Sequence, residues 1–359
     1  MRSLRNLVLR DKELAVLVFM TACVILVLYI TLGQRLFSPT GLQSMSVQVS
    51  EFGFLALAMA IAMLTGGIDL SVAAAASLAG IMAALVMSGQ IIPVTDENTS
   101  ILFALGIVAA LVTGLLCGLL NGFLIAKISV PPILATLSTM ILFAGIGMAI
   151  TTGQSVPVLV PSFAQLSTSA VANIPLIFII MVAAFLAVAF VLSRTRLGRR
   201  IYLFGENEVA LRFSGVRSER VILMSYALIG ILVGIAGIIM TSRANSMRVG
   251  VGDSYLLQAI LVVVLAGFNP FGGKGRIISL AVGLVLLQLL STAFNALMFS
   301  PYAKNFAWGA ILLLVMVLNH FVRHWRLRQP PEKPSPPAPI HTKGVQPSPV
   351  TVTVLVSDR

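Results

Sequence analysis

Read by its apolar and polar positions, the chain is a series of long apolar runs separated by short polar segments. A helix needs about 20 mostly apolar residues to cross a bilayer. On that measure there are about ten candidates, at 14–33, 47–64, 69–89, 101–126, 131–151, 175–193, 221–242, 255–268, 276–298 and 305–322. The second, third and eighth are short or interrupted by glycine. The pattern predicts an all-α, polytopic helical bundle in a membrane. It divides into a leading segment 1–13, a transmembrane body 14–328 with a charged insertion at 194–220, and a tail 329–359. The tail is Pro-rich and aperiodic and reads as disordered. The first apolar run carries no small-residue cleavage motif, so it reads as a spanning helix rather than a leader.

Composition agrees with this picture. Hydrophobic residues make up 58% of the 359 positions and charged residues 10%, against about 25% charged in a soluble domain. A net charge of +12 would suggest nucleic acid in a soluble protein. Here the basic residues fall between the spans. With the N-terminus in the cytoplasm, 20 of the 24 Lys and Arg lie inside, and only Arg35, Arg243, Arg248 and Lys304 lie outside. That asymmetry predicts cytoplasmic termini, and no nucleic-acid partner is expected. Cys23 and Cys117 sit in apolar runs and make no disulfide framework.

Enzymatic chemistry finds no support. "VLAGFNPFGGKGRI" at 264–277 approaches a phosphate-binding loop, but Phe268 stands where its first glycine belongs and Gly275 follows Lys274. It reads as a charged turn. His320 and His324 are four apart, yet no Glu separates them as in HExxH and no third ligand is evident. GxSxG and paired carboxylates within a span are also missing. No catalytic residue, metal or cofactor is expected on this chain.

Two features stand out inside the spans. "TGGIDLS" puts Thr65, Gly66, Gly67, Asp69 and Ser71 where one apolar helix breaks and the next begins. Non-helical backbone at depth persists only where protein or a cavity satisfies it. Asp69 or Ser71 serves to cap the next helix or to contact a transported solute. Gly114, Gly118 and Gly122 form one small-residue face beside Asn121, and Gly230, Gly234 and Gly237 form another. Such faces admit close helix packing, within the bundle, between subunits or along a pore.

The charged insertion carries seven arginines between 194 and 220. Arg194 to Arg200 reads as a basic stop at the membrane face. "GENEVALRFSGV" then carries helix punctuation, with Asn207 as N-cap, Glu206 and Glu208 at the positive end and Gly215 just past the last turn. Val209 and Phe213 are four apart, with Ala210 and Ser214 on the adjacent stripe. Ser218 is placed to cap the following span. An ordinary basic loop accounts for the arginines, and a docking helix accounts for the caps as well.

Several of these stretches resemble one family. "GENEVALRFSGV", "TGGIDLSVA", "GLLCGLLNGFLIAKISVPPILATLSTM" and "SRANSMRVGVGDSYLLQAILVVVLAGFNPFGGKG" are similar, in order over roughly 45–320, to motifs of permease subunits of ribose-type simple-sugar ABC importers, in the branched-chain amino acid/ribose permease superfamily. The chain departs from them at Ala73, Leu211, Leu256, Leu261 and Val262.

The resemblance implies a type II ABC importer-like permease fold of about ten spans in a bacterial inner membrane. It also implies a second permease subunit, identical or paralogous, cytoplasmic ABC ATPases holding ATP and Mg, and a periplasmic sugar-binding protein. It marks Gly205, Glu206, Asn207, Glu208, Val209, Ala210, Phe213, Ser214 and Gly215 as a coupling helix for the ATPase. Thr65, Gly66, Gly67, Asp69, Ser71 and Asn121 become candidates for the pathway. Two alternatives are an ion-coupled secondary transporter working through Asp69 and a non-transporting membrane scaffold.

Overall fold

The computed structural model describes residues 12–33 and 37–328. The leading segment to Asp11, Arg35, the tail 329–359 and His341 lie outside the described residues. Among the described residues, thirteen helices follow in order: α1 Lys12–Leu32, α2 Pro39–Leu64, α3 Val72–Met87, α4 Thr99–Ala126, α5 Pro132–Thr151, α6 Pro161–Thr168 and α7 Leu176–Arg194. Then come α8 Arg196–Glu206, α9 Glu208–Phe213, α10 Ser218–Ala244, α11 Asp253–Leu265, α12 Ile277–Ala296 and α13 Pro301–Arg328. The chain up to Met316 forms one compact unit, and a second unit begins at Val317.

Each apolar run becomes a helix, but seven of these helices, among the described residues, are long and apolar enough to cross a membrane: α1, α2, α4, α5, α7, α10 and α12. Three shorter apolar stretches, Val72–Met87, Asp253–Leu265 and Pro301–Val317, complete the set. The second run extends back to Pro39, because Ser38 accepts a hydrogen bond from the Gly41 N–H (3.1 Å) and Pro39 suits the first turn. Where a loop was expected between α5 and α7, there is instead the short helix α6. Two small antiparallel ladders accompany it, Val156–Pro157 on Ser246–Met247 and Ala170–Val171 on Ile174–Pro175. The buried Phe163 ring anchors α6 against Phe103 (centroids 6.1 Å apart), and the Ser242 hydroxyl donates to its carbonyl (2.6 Å).

The bundle is built around α2. All residues from Val49 to Leu64 are buried, as expected for a helix apolar on every side. Alanine-rich α3 is nearly as enclosed. Its small side chains let neighbours approach closely, at the expense of area buried per residue. By contrast, α4, α5 and α7 turn Leu116, Ile141, Leu142, Leu186 and Phe190 outward. Exposed apolar side chains in such number call for lipid or another subunit against them.

The two glycine stripes meet each other inside the chain. A Cβ on Gly114 would lie 2.5 Å from the Gly230 carbonyl oxygen, and one on Gly118 would lie 2.2 Å from that of Tyr226. Gly122 faces the Tyr226 side chain, and Gly234 faces the Ala110 carbonyl. Gly237 continues the line onto α3, where it meets Ala76 and Gly80. Thus α4 and α10 touch backbone to backbone, which maximises dispersion contact where no hydrophobic effect separates helix from lipid. Gly118→Leu is expected to force these backbones apart, an overpacking cost of about 1–3 kcal/mol or more. Gly145→Leu, in open space on α5, is the control. Thermal unfolding of the detergent-solubilised protein should separate the two.

Candidate functional site

Three chain segments meet at the basic end of the bundle. The first is α9 with its flanks. The Asn207 side-chain oxygen accepts from the Ala210 N–H (3.0 Å), so Asn207 is the N-cap. Gly215, at φ +79°, takes the left-handed position after the last turn, and its N–H reaches the Arg212 carbonyl (3.0 Å). Arg212 bonds Glu208 one turn back (2.8 Å) and the Ser218 hydroxyl (3.0 Å). Ser218 is therefore an acceptor for Arg212 and the first residue of α10, while Arg217 occupies the cap position without a side-chain cap bond. Only Leu211 of α9 is buried. Val209 and Phe213 share the outer face and are 63% and 89% exposed. A cleft of about 580 Å³ opens between the end of α9 and the start of α10, lined by Arg212, Gly215, Val216, Arg217, Ser218 and Glu219. Glu219 in turn pairs with Lys127, at the end of α4.

The second segment is α8. Residues read as a basic stop form an amphipathic helix, capped by Thr195, whose hydroxyl oxygen accepts from the Gly198 N–H (3.2 Å). Its arginines point outward while Ile201 is fully buried. The missed signal was the spacing of Leu197, Ile201 and Phe204, an apolar stripe at helical period. The Tyr202 hydroxyl donates to the Gly275 carbonyl (2.9 Å), and burial pushes its pKa up, which keeps the donor protonated.

The third is the end of α2 together with the turn after α11. The Gly66 N–H reaches the Met63 carbonyl (3.0 Å) and the Gly67 N–H the Ala62 carbonyl (3.2 Å), with Gly66 at φ +80°. This double bond pattern closes a helix on a left-handed residue. Thr65 adds its hydroxyl to the Ala62 carbonyl (2.8 Å). From the other segment, the Gly273 N–H donates to the Leu64 carbonyl (3.1 Å). Gly205 lies between them. A Cβ there would fall 2.0 Å from the Leu64 oxygen and 2.4 Å from the Gly273 nitrogen. Gly272 is pressed against the Gly205 backbone in the same way. The turn at 266–276, the end of α2 and α8 thus meet backbone to backbone.

Beyond the break runs a buried polar chain. The Asp69 carboxylate accepts from the Ser71 N–H (2.9 Å) and hydroxyl (2.7 Å). The Asn121 amide donates to Ser71 (2.7 Å) and accepts from Thr139 (2.7 Å). Thr136 reaches the Ile68 carbonyl (3.1 Å). Asp69 therefore orders the entry to α3 rather than projecting freely, while Ser71 sits at the cap position without a side-chain cap bond. Thr136 and Thr139, which hold the break to α5, carried no signal of their own in the sequence. Asn121→Ala would remove the bonds that join Ser71 to Thr139, leaving Ser71 on Asp69 and Thr139 on the Thr136 carbonyl (3.2 Å), at about 0.5–1.5 kcal/mol for each lost bond. A marked fall in melting temperature is expected, and Ser138→Ala, exposed and bonded only within its helix, should leave it unchanged.

Fold and site together define a polytopic membrane protein whose central helix is tied to an external helix with an uncovered apolar face. The chain belongs to the family described as branched-chain amino acid transport system / permease component, whose model matches residues 41–316. It is 33% identical over 303 residues to the ribose import permease protein RbsC of Bacillus subtilis, covering 84% of this chain and 91% of that one. RbsC of Escherichia coli K12 is 33% identical over 301 residues, 83% and 91% of the two chains. The L-arabinose transport system permease AraH of the same strain is 31% identical over 280 residues, 78% and 82%. No solved structure matches the chain. The protein is a permease subunit, a transport component and not an enzyme.

Proposed function

We propose that this permease carries a simple sugar or sugar-like polyol into a bacterial cell, driven by ATP hydrolysis on separate subunits. The observation that carries the reading is the capped helix α9, which holds Val209 and Phe213 in the open at the basic end. An exposed phenylalanine beside a cleft flanked by Arg212, Arg217 and Glu219 is suited to a protein groove. The apolar pair supplies contact area, and the charges supply orientation. Several relatives are named for import of ribose or for transport of L-arabinose or D-allose, which favours a neutral polyhydroxylated cargo.

In this reading α9 docks on a cytoplasmic ABC ATPase, and Gly205, Glu206, Asn207, Glu208, Ala210, Ser214 and Gly215 shape the docked segment. ATP and Mg bind the ATPase and none binds this chain. A second permease subunit, identical or paralogous, completes the pathway, and a periplasmic binding protein delivers the sugar. The protein resides in the inner membrane with both termini in the cytoplasm. Movement of the docked helix passes through Gly205 to Leu64 and the break at Thr65, Gly66 and Gly67. That rigid backbone contact is the shortest route from α9 to the central helix.

Two variants separate docking from transmission. Val209→Asp with Phe213→Asp buries charge in the proposed contact. Co-purification of the ATPase is expected to fall at least about tenfold, the effect of roughly 1.4 kcal/mol. Gly205→Ala leaves that face intact but collides with Leu64, so ATPase capture should persist while sugar uptake drops. Uptake and capture that both survive the double aspartate would remove α9 from docking. Uptake that outlasts loss of the ATPase and collapses with a protonophore would favour ion coupling through Asp69 instead.

A further inference from the structure

α2 is divided along its length. Between Thr40 and Glu51 it carries seven polar residues, and from Phe52 to Leu64 it carries none. Ser46 and Ser50 bond carbonyls of their own helix, at 2.8 and 2.7 Å. Ser44, Gln48 and Glu51 are different. They lie at i, i+4 and i+7, on one face, and Gln48 and Glu51 find partners on other helices.

On α12, Gln288, Thr292 and Asn295 repeat that spacing. The two stripes meet at Gln288, whose amide donates to the Gln48 oxygen and to Thr292, both at 3.3 Å. Gln48 donates to Ser44 (3.1 Å). Both Gln288 bonds are long for N–H···O contacts, so this amide is shared between two acceptors and held firmly by neither. One turn deeper, Glu51 receives Arg243 from the end of α10 and the Tyr255 hydroxyl from the start of α11. Tyr255 also stacks on Phe52 (centroids 6.3 Å, planes 28° apart). The Glu51 side chain is 8% exposed, whereas that of Arg243 is 38% exposed, so the cluster opens on the Arg243 side. It stands about 20 Å from the α2 break, by the helical rise over thirteen residues.

Polar side chains inside spans are costly and mark pathways by default. Two amides, a carboxylate–guanidinium pair and a phenol beside an aromatic face are the chemistry that recognises a polyhydroxylated ring. Each polar group can both hold its neighbour and exchange that bond for a hydroxyl. The internal pairing of Glu51 with Arg243 neutralises the site, so it favours an uncharged ligand. We propose that Gln48, Glu51, Arg243, Tyr255 and Gln288 form the contact site of this chain for a neutral polyhydroxylated solute. The site lies toward the end of the bundle away from α9. The proposal rests on the importer reading for the class of cargo.

The test is cysteine protection in the assembled transporter in native membranes, in a Cys23→Ala, Cys117→Ala background. Single cysteines replace Gln48, Gln288 and, as controls, lipid-facing Val285 and fully buried Leu57. A membrane-impermeant methanethiosulfonate reagent is applied with and without D-ribose, D-allose, L-arabinose, myo-inositol or L-leucine. Modification is expected at 48 and 288 and not at the controls. At least one of the polyols should slow it roughly fivefold once about four times above its dissociation constant, since the unoccupied fraction falls as 1/(1 + [L]/Kd).

Tyr255→Phe, which removes one hydroxyl, should weaken that protection and leave labelling itself unchanged. No modification at 48 and 288 means a packed polar contact and overturns the proposal. Modification without protection, or protection by L-leucine alone, overturns it as well. ATPase capture by α9 is scored separately, so failure of the docking reading and failure of this site are told apart.

Discussion

A helix that ends inside a membrane protein leaves four carbonyls without intrahelical partners, and lipid offers them nothing. The end of α2 is where this chain meets that constraint. Thr65, Gly66 and Gly67 fold back to bond Ala62 and Met63, and the Leu64 carbonyl is met from outside by the Gly273 N–H. That last bond requires the turn after α11 to reach the α2 terminus. The turn reaches it because Gly205 has no side chain to keep α8 away. Satisfying one carbonyl thus fixes three segments that are distant in sequence, and it joins the external helices to the most buried helix of the bundle.

The same economy of side chains recurs at the α4–α10 contact. Gly114 and Gly118 lie on Gly230 and the Tyr226 backbone, so two of the longest helices pack at backbone distance. Close packing there is compatible with the polar chain Asp69–Ser71–Asn121–Thr139, since Asn121 lies between Gly118 and Gly122 on α4. The glycines bring α10 in, and the amide next to them ties α3 to α5. Apolar surface left over on α4, α5 and α7 faces outward from the bundle.

What could be read from sequence was what is local. The ten apolar segments, the Asn207 cap and the Gly215 turn each follow from residues within a few positions, and all are present. The length of each span was less legible. α3 and α11 stop short because the chain must turn within the protein, and where it turns depends on contacts elsewhere. α8 is masked in the sequence because its arginines satisfy the topology rule by themselves, while its apolar stripe, Leu197, Ile201 and Phe204, spans only two turns. Gly205 and Gly272 were each visible as glycines, but their meeting depends on how α8 and the α11–α12 turn pack. Ser218 does not cap α10, because its hydroxyl accepts from Arg212, six residues earlier. Thr139, an unremarkable residue in an apolar run, acquires its partner only once α4 and α5 lie side by side.

The short helix α9 has a further consequence. Six residues long and held by the single buried side chain of Leu211, it has little intrinsic stability and keeps Phe213 in water. Until a groove covers that ring, the subunit displays an adhesive apolar tip at its surface. On the docking proposed for α9, the ring that would seat a partner would also report its absence, so an orphan subunit would be recognisable to chaperones and proteases, which triage exposed apolar segments. Assembly and quality control would then read the same side chain, linking the lifetime of the permease to the supply of whatever it binds.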